Sequence, residues 1–471
     1  MKPFQREVWD RLWDSPGWLF VLKCARRIGK TYLLCLIAVM VCLRKRNAKV
    51  RFAAPHQENL RILIEPIMMK IIADSPPEVR PVFERGRWLF PSTGSEIFIH
   101  GVNNSNPDAL RGDECDLFIV DEGGTVNRLK YVVQDVGMPQ LMNQDGKVVK
   151  GRKMIVASSP AKTPAHEFTT MSTKAEMDER YAHFDIYRGG FDEVSIQALM
   201  VELEGPGSVA WKREALALDL VDPDFALCGE WEQHGQVHEF KTDDYFTFYQ
   251  KYDALDIGVR DLTVCLLAHY DFKQAKLFIH DEVVMNGTQM TTESLGQAIR
   301  DRETDRFGVS WEKEKTVDQG RTRWRMVAPN HHFRIRRVSD VDLLLISDLS
   351  KLEGLYFEAT DKGYREEMVN EVRVWVKNRR VVVHPRCRQT IGCLKFGVWN
   401  DRKTDFDRSD TYGHFDAFAA LMYLIRNIDT RTNPVPAEFG RPYEEYYLEE
   451  KTMERSDKFR KMMGLRPPKR R

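Results

Sequence analysis

Residues 19–23, Leu-Phe-Val-Leu-Lys, run into Cys24-Ala25-Arg26-Arg27-Ile28-Gly29-Lys30-Thr31 and then into an apolar stretch that continues to Leu43. Strand, tight loop and helix in that order constrain the fold more than any other feature. Loop amides and a helix N-terminus together form a site for phosphate. In such a loop the backbone of Arg26, Arg27, Ile28 and Gly29 wraps the phosphates of ATP, and Lys30 reaches the terminal ones. The Thr31 hydroxyl serves Mg²⁺. Cys24 stands where the usual pattern opens on Gly, so the motif is incomplete, and a Gly-Lys-Thr triplet also arises by chance.

A second element strengthens the first. Cys115-Asp116-Leu117-Phe118-Ile119-Val120-Asp121-Glu122 is an apolar strand ending in two acids, about 90 residues after Thr31. Asp121 is placed for the Mg²⁺ shell and Glu122 as the general base that polarises the attacking water. At the next strand, Met154-Ile155-Val156-Ala157 leads into Ser158-Ser159-Pro160, small hydroxyl residues suited to sensing a γ-phosphate. Gln5 precedes the loop strand and is placed as an adenine reader. Hydrolysis also needs a cation at the transition state. Arg26 and Arg27 in the loop, and Arg111 eleven residues before Glu122, are the candidates, in cis or from a neighbouring subunit. These features point to a nucleotide hydrolase and suit helicases and translocases equally.

The strands at 18–23, 50–54, 96–100, 117–120 and 154–157 alternate with helical patterns, the signature of an α/β domain. A second strand-rich region opens at Phe246, with strands at 252–257, 262–270, 276–284, 333–338 and 380–384 and helices at 365–377 and 415–426. At 471 residues the chain has room for about two to four domains. Its 71 Lys+Arg against 70 Asp+Glu exclude a general polycation but not a nucleic-acid enzyme whose charges are segregated. The eight cysteines form no CxxC pair and read as buried thiols in a reducing compartment. No apolar run approaches the ~20 residues that span a bilayer, and the start carries no secretory pattern, so a soluble intracellular protein is expected.

The second half offers three acids far apart in sequence. Asp256 and Asp340 end strands, and Asp416 opens a helix in Gly413-His414-Phe415-Asp416. Carboxylates of this kind can converge on divalent cations and activate water against a phosphodiester. Asp348, Asp281 and Glu282 are alternatives within the same region. Basic residues around Arg334, Arg336 and Arg337, and the terminal Lys469-Arg470-Arg471, are candidates to grip DNA phosphates.

In this order and spacing, CARRIGKT, ALRG…CDLFIVDE, VASSP, LDIGVRD and GHFDAFAALMYLIRN resemble the large terminase subunit of tailed bacteriophages, over roughly residues 1–430. The resemblance implies an α/β chain, a P-loop NTPase domain of the additional-strand type followed by a ribonuclease H-like nuclease domain. It places the ATPase core at 1–195, a lid or linker at 196–240, the nuclease at 241–430 and a charged flexible tail at 431–471. It further implies an ATPase and a Mg²⁺- or Mn²⁺-dependent DNA endonuclease, with Asp256, Asp340 and Asp416 as the nuclease triad. Ser158 and Ser159 couple hydrolysis to movement, and Arg111 matches a proposed trans-acting finger. The implied partners are double-stranded DNA, the portal of the procapsid, a small terminase subunit and a homo-oligomeric ring, a pentamer when assembled. The implied setting is the host cytoplasm, transiently on the procapsid and away from membranes.

Overall fold

The computed structural model describes residues 2–436 apart from 104–105, 259–260, 319–320, 330–334, 340–342, 361–362 and 410. Around the phosphate loop it builds a sheet from β1 (Leu19–Cys24), β2 (Lys49–Ala54), β3 (Val82–Glu84), β4 (Arg87–Phe90), β5 (Ser95–Gly101), β6 (Leu117–Val120), β7 (Lys153–Ser158) and β8 (Tyr181–Phe184). Their spatial order is β3-β4-β5-β2-β6-β7-β1-β8. The six from β5 to β8 are parallel, and β3 and β4 add an antiparallel edge. Strands β1, β6 and β7 are buried along their whole length, as a parallel sheet covered on both faces requires. The extra strand β7 lies between β1 and β6, which is the additional-strand arrangement of P-loop ATPases. The ends of β1, β6 and β7 therefore open on one crevice.

The helix Lys30–Arg44 that follows the loop is apolar nearly all round because it is sunk in this core. Leu33, Leu34, Ile37 and Ala38 are fully buried in one cluster with Phe20, Leu22 and Phe52. After the sheet, the short helices Glu193–Glu202 and Val209–Glu214 fold back, and Ile196, Trp211 and Ala215 pack on Ala25 of the loop.

The second sheet comprises β9 (Lys251–Asp256), β10 (Leu262–Asp271), β11 (Lys276–Asn286), β14 (Ile335–Ser339), β15 (Glu358–Ala359) and β16 (Val381–Val383), while β12 (Glu312–Asp318) and β13 (Arg321–Val327) form a separate hairpin. Its order is β15-β14-β9-β10-β11-β16. An antiparallel β9-β10-β11 meander with β14 and β15 parallel to β9 is the ribonuclease H-like pattern. The helix Asp416–Arg426, buried at every position up to Ile425, packs across β9 and β10. The strands legible in the sequence agree with these to within a residue or two at most ends. The charged hairpin and the short β3, β4, β8 and β15 were not legible. All eight cysteines are buried and free. No helix among the described residues is long and apolar enough to cross a membrane.

One basic cluster is corrected. Arg337, expected to face DNA, lies on the inner strand β14 and is 10% exposed. Its guanidinium bonds Asp253 at 3.2 Å and Glu303 at 2.8 Å, and both carboxylates are fully buried. Burial, with Glu303 close by, raises the Asp253 carboxyl well above the usual range. The trio therefore sets two buried carboxyls against a single guanidinium. Removing the cation leaves buried acid uncompensated, so Arg337→Met is expected to cost about 3–5 kcal/mol. At about 2–4 °C per kcal/mol, a melting curve should show the second domain's midpoint down by roughly 10 °C. Arg336 is tied to Glu358 at 3.2 Å and to the Asn427 carbonyl at 2.7 Å. Arg334, Asp340 and the segment 437–471, with Lys469, Arg470 and Arg471, lie outside the described residues.

Candidate functional site

The phosphate loop explains its own departure from the usual pattern. Cys24 is still part of β1 and fully buried, so a side chain fits where other loops use Gly. Burial pushes its thiol up to about 12, which leaves it a small neutral core group. The turn is made later, by Arg27 at φ 61° and Gly29 at φ 101°. Left-handed residues interspersed in a turn of this kind aim backbone N–H groups into one concavity.

Two acids meet the loop across the crevice. Thr31 Oγ1 donates to Asp121 Oδ2 at 2.8 Å, and Lys30 Nζ donates to Glu122 Oε1 at 2.6 Å. Asp121 is buried, and burial lifts its carboxyl to about 6 against the pull of Lys30. Glu122 keeps 37% of its side chain exposed. Desolvation pushes its carboxyl up, but the Lys30 ammonium outweighs this and holds it below the usual range. Lys30 stays charged for the same reason, its burial offset by both acids. Glu122 also has a left-handed backbone, φ 50° and ψ 43°, which a non-glycine residue adopts at some cost and which fixes where its carboxylate points. The hydroxyls of Ser158 and Ser159 both donate to Glu122 Oε2 at 3.4 Å. Ser158 Oγ also accepts from Gly124 N at 2.9 Å, where a Cβ would stand only 2.8 Å from that oxygen.

The candidate cations separate. Arg26 is the one whose charge reaches Glu122, and its guanidinium pairs with Glu214 of the folded-back helices at 2.8 Å. Arg27 is exposed. Arg111 is also exposed, bound to Asp108 at 2.6 Å and to the Tyr131 hydroxyl at 3.0 Å. Gln5 is buried against the loop, with Nε2 3.4 Å from the Gly29 carbonyl. The sequence held no signal for the Arg26–Glu214 pair, which joins residues from separate subdomains.

In the second sheet, Asp256 at the end of β9 and Asp416 at the start of its helix line one cavity of about 320 Å³. Asp261, Asp405 and His414 line it too. Asp416 Oδ2 accepts from the backbone N–H of Leu262 and of His414, each at 3.2 Å. Gly413 passes so close that a Cβ there would stand 2.3 Å from the same oxygen. Burial pushes the Asp416 carboxyl up to about 6, and Asp261 adds to the rise. Asp405 is paired with Arg365. Asp256 and Asp416 are thus brought together, whereas the third expected acid, Asp340, lies outside the described residues. The alternatives are engaged or remote. Glu282 accepts from Gln389 N, Thr390 N and Thr390 Oγ1 at 2.7–2.9 Å, Asp281 is held by Arg306 at 2.6 Å, and Asp348 is exposed on the helix Leu343–Glu353. Among the described residues, no group of three or more His, Cys, Asp or Glu side chains could hold a metal ion.

Residues 21–193 match the profile of the family described as terminase large subunit, T4likevirus-type, N-terminal. The first domain of the chain is thus similar to the N-terminal domain of terminase large subunits. Among solved structures, the HK97 bacteriophage large terminase aligns over 91% of this chain and 95% of its own at 16% identity, TM-score 0.50, a likeness of fold. The large terminase of a thermophilic bacteriophage, solved in complex with ADP, aligns over 91% and 99% at 15% identity, TM-score 0.39. The P22 large terminase nuclease domain aligns over 43% and 91% at 10% identity, TM-score 0.31. No curated protein matches the chain.

The two domains of the chain meet just beyond the serine pair. Lys162 pairs with Asp401 and, at 3.8 Å, with Asp407. Thr163 Oγ1 donates to the Phe396 carbonyl at 2.7 Å, and Ser409 Oγ donates to the Ala165 carbonyl at 3.0 Å. The segment that hydrogen-bonds Glu122 therefore continues directly into contact with the loop that carries Asp405.

Proposed function

We propose that the chain is the motor and nuclease of viral DNA packaging. ATP hydrolysis in residues 1–195 drives double-stranded DNA into a procapsid, and a metal-dependent endonuclease in residues 241–430 cuts concatemeric DNA. Residues 196–240 act as lid or linker, and 431–471 as a tail. One observation carries this reading: a single chain joins acids facing a phosphate loop to a ribonuclease H-like sheet with Asp256 and Asp416 on one cavity.

In the motor, Arg26, Arg27, Ile28, Gly29 and Lys30 hold the phosphates of ATP, and Gln5 helps seat the base. Thr31 and Asp121 offer the hard oxygens that Mg²⁺ prefers. The cation supplies charge neutralisation on the phosphates. Glu122 takes the proton of the attacking water, Arg26 stabilises the transition state in cis, and Arg111 does so in trans across a ring, taken as a pentamer. Ser158 and Ser159 relay the state of Glu122, supported by their hydrogen bonds to it and by the adjoining contacts of Lys162 and Thr163 with the second domain. In the nuclease, Asp256, Asp416 and Asp340 offer oxygens for Mg²⁺ or Mn²⁺, whose chemistry there is to make water nucleophilic. The portal and a small terminase subunit are the partners, in the host cytoplasm and on the procapsid.

The competing reading is a P-loop DNA helicase whose second domain is non-catalytic. The chain, ATP and procapsids should together render linear duplex DNA resistant to added nuclease. Protection that fails with procapsids present, alongside ATP-driven separation of a forked duplex, would replace the motor with the helicase.

A further inference from the structure

Beside the carboxylate cavity lies a larger cleft of about 490 Å³ that both domains build. Arg128, Lys130 and His166 line it from the first domain beside the acids Asp135 and Glu167, and Asp261, Arg408 and Gly413 from the second. Asp261 lines both spaces, and Gly413 is the residue whose backbone presses on Asp416. The cleft therefore opens at the acids that would face a scissile phosphate.

The cations in it are not equivalent. Arg408 is spoken for, bridged to Asp261 at 3.2 Å. Arg128 lies over the Tyr131 ring, 4.3 Å from its centroid, and its charge reaches Asp108, but among the described residues neither Arg128 nor Lys130 has a carboxylate within ion-pair distance. The nearby Glu167 carboxylate is used otherwise, accepting from the backbone N–H of Lys130 at 2.6 Å. Two exposed, unpaired cations thus project from the ATPase-type domain into the approach to the nuclease-type site. Such cations raise the local concentration of an anionic chain and bind its phosphates with release of counterions.

We propose that this cleft takes the DNA backbone phosphates next to the bond being cut, held by Arg128 and Lys130, so that the first domain completes the substrate site of the second. The inference rests on the nuclease reading above. Because the cations lie on one domain and the carboxylates on the other, a shift between domains would misalign phosphate and acids.

The test uses the full chain and linear duplex DNA. Binding is measured in EDTA over a range of salt, and cleavage with Mg²⁺ or Mn²⁺ at limiting and at saturating DNA. For Arg128→Ala/Lys130→Ala, the slope of log K against log salt should fall by about 1.8, since each phosphate contact contributes about 0.9. Cleavage at limiting DNA should fall about 10-fold near 0.2 M salt and recover at saturating DNA, an effect on KM rather than kcat. Arg128→Gln/Lys130→Gln keeps the aliphatic stems and should behave alike, which separates lost charge from lost packing. Arg128→Lys/Lys130→Arg keeps both charges and should behave as wild type. An unchanged slope and unchanged cleavage in both neutral variants would overturn the inference. A wild-type chain that cuts no DNA would overturn the nuclease reading instead, and the salt slope would still judge the cleft.

Discussion

Replacing Glu122 by Gln is expected to lower ATP turnover by about 10²–10⁴-fold, the usual contribution of a positioned general base. Nucleotide binding should stay within a few-fold of wild type. Gln keeps the length and shape of the side chain, so the hydrogen bonds from Ser158 and Ser159 have an acceptor still. What it loses is basicity and charge. Lys30, now 2.6 Å from Glu122, would be freed towards the phosphates, so ATP should not bind more weakly. Lys30→Ala should show the opposite pattern: it removes the cation that the phosphates need and leaves Asp121 and Glu122 to repel them. A phosphate-release assay together with fluorescent-nucleotide binding separates the two effects. Normal turnover by Glu122→Gln would move the base elsewhere.

These residues were legible because the information is local. A strand that ends in a loop or in acids exposes those residues at the sheet's C-terminal edge, whatever the rest of the fold does. The same logic singles out Asp256 at the end of β9, whereas Asp416 stands out by opening a helix. That logic failed where partners are distant and the pattern points two ways. Arg334, Arg336 and Arg337 look like a basic surface, yet β14 is inside its sheet. Arg337 meets acids 84 and 34 residues away, which no local pattern encodes. The strand Glu312–Asp318 alternates Glu and Lys and so carries no apolar period by which to be read. Asp405 and Asp261 reach the carboxylate cavity from loops, whose course only the tertiary fold decides. Cys24 is the reverse case. It weakened the motif on paper, but an extended, buried strand end has no need of glycine.

The near-equality of 71 basic and 70 acidic residues gains a physical meaning from the same pairs. Much of the charge is consumed internally, at Arg337 with Asp253 and Glu303, at Arg300 with Glu353, and at Arg26 with Glu214. The balance of the whole chain therefore says little about any one surface. Unpaired cations such as Arg128 and Lys130 matter more than totals, because a phosphate need not displace a carboxylate to reach them.

Asp416→Asn is expected to abolish DNA cutting, by about 10²-fold or more, while ATP turnover without DNA is unchanged. A carboxylate that holds a catalytic cation contributes several kcal/mol of charge stabilisation, and an amide does not. Stability provides a separate readout. Burial, together with the charge of Asp261, raises the Asp416 carboxyl to about 6 against the pull of the Leu262 and His414 amides. Asp256, Tyr423, His414 and Asp405, the last held by Arg365, are the other titratable groups on this cavity. A raised folded-state pKa means that stability is intact below the unfolded value near 4 and is lost as pH rises through about 6. In EDTA the wild type should lose on the order of 1–3 kcal/mol over that window relative to Asp416→Asn. The Asn side chain accepts the same two amide bonds without the charge, so the variant should melt higher at pH 7. Adding Mn²⁺ should raise the wild-type midpoint at pH 7 and leave that of the variant unmoved. Cutting by the wild type should fall as pH drops below about 6, where protons compete for the carboxylate. A variant that melts below wild type in EDTA at pH 7, or that still cuts, would remove Asp416 from the site.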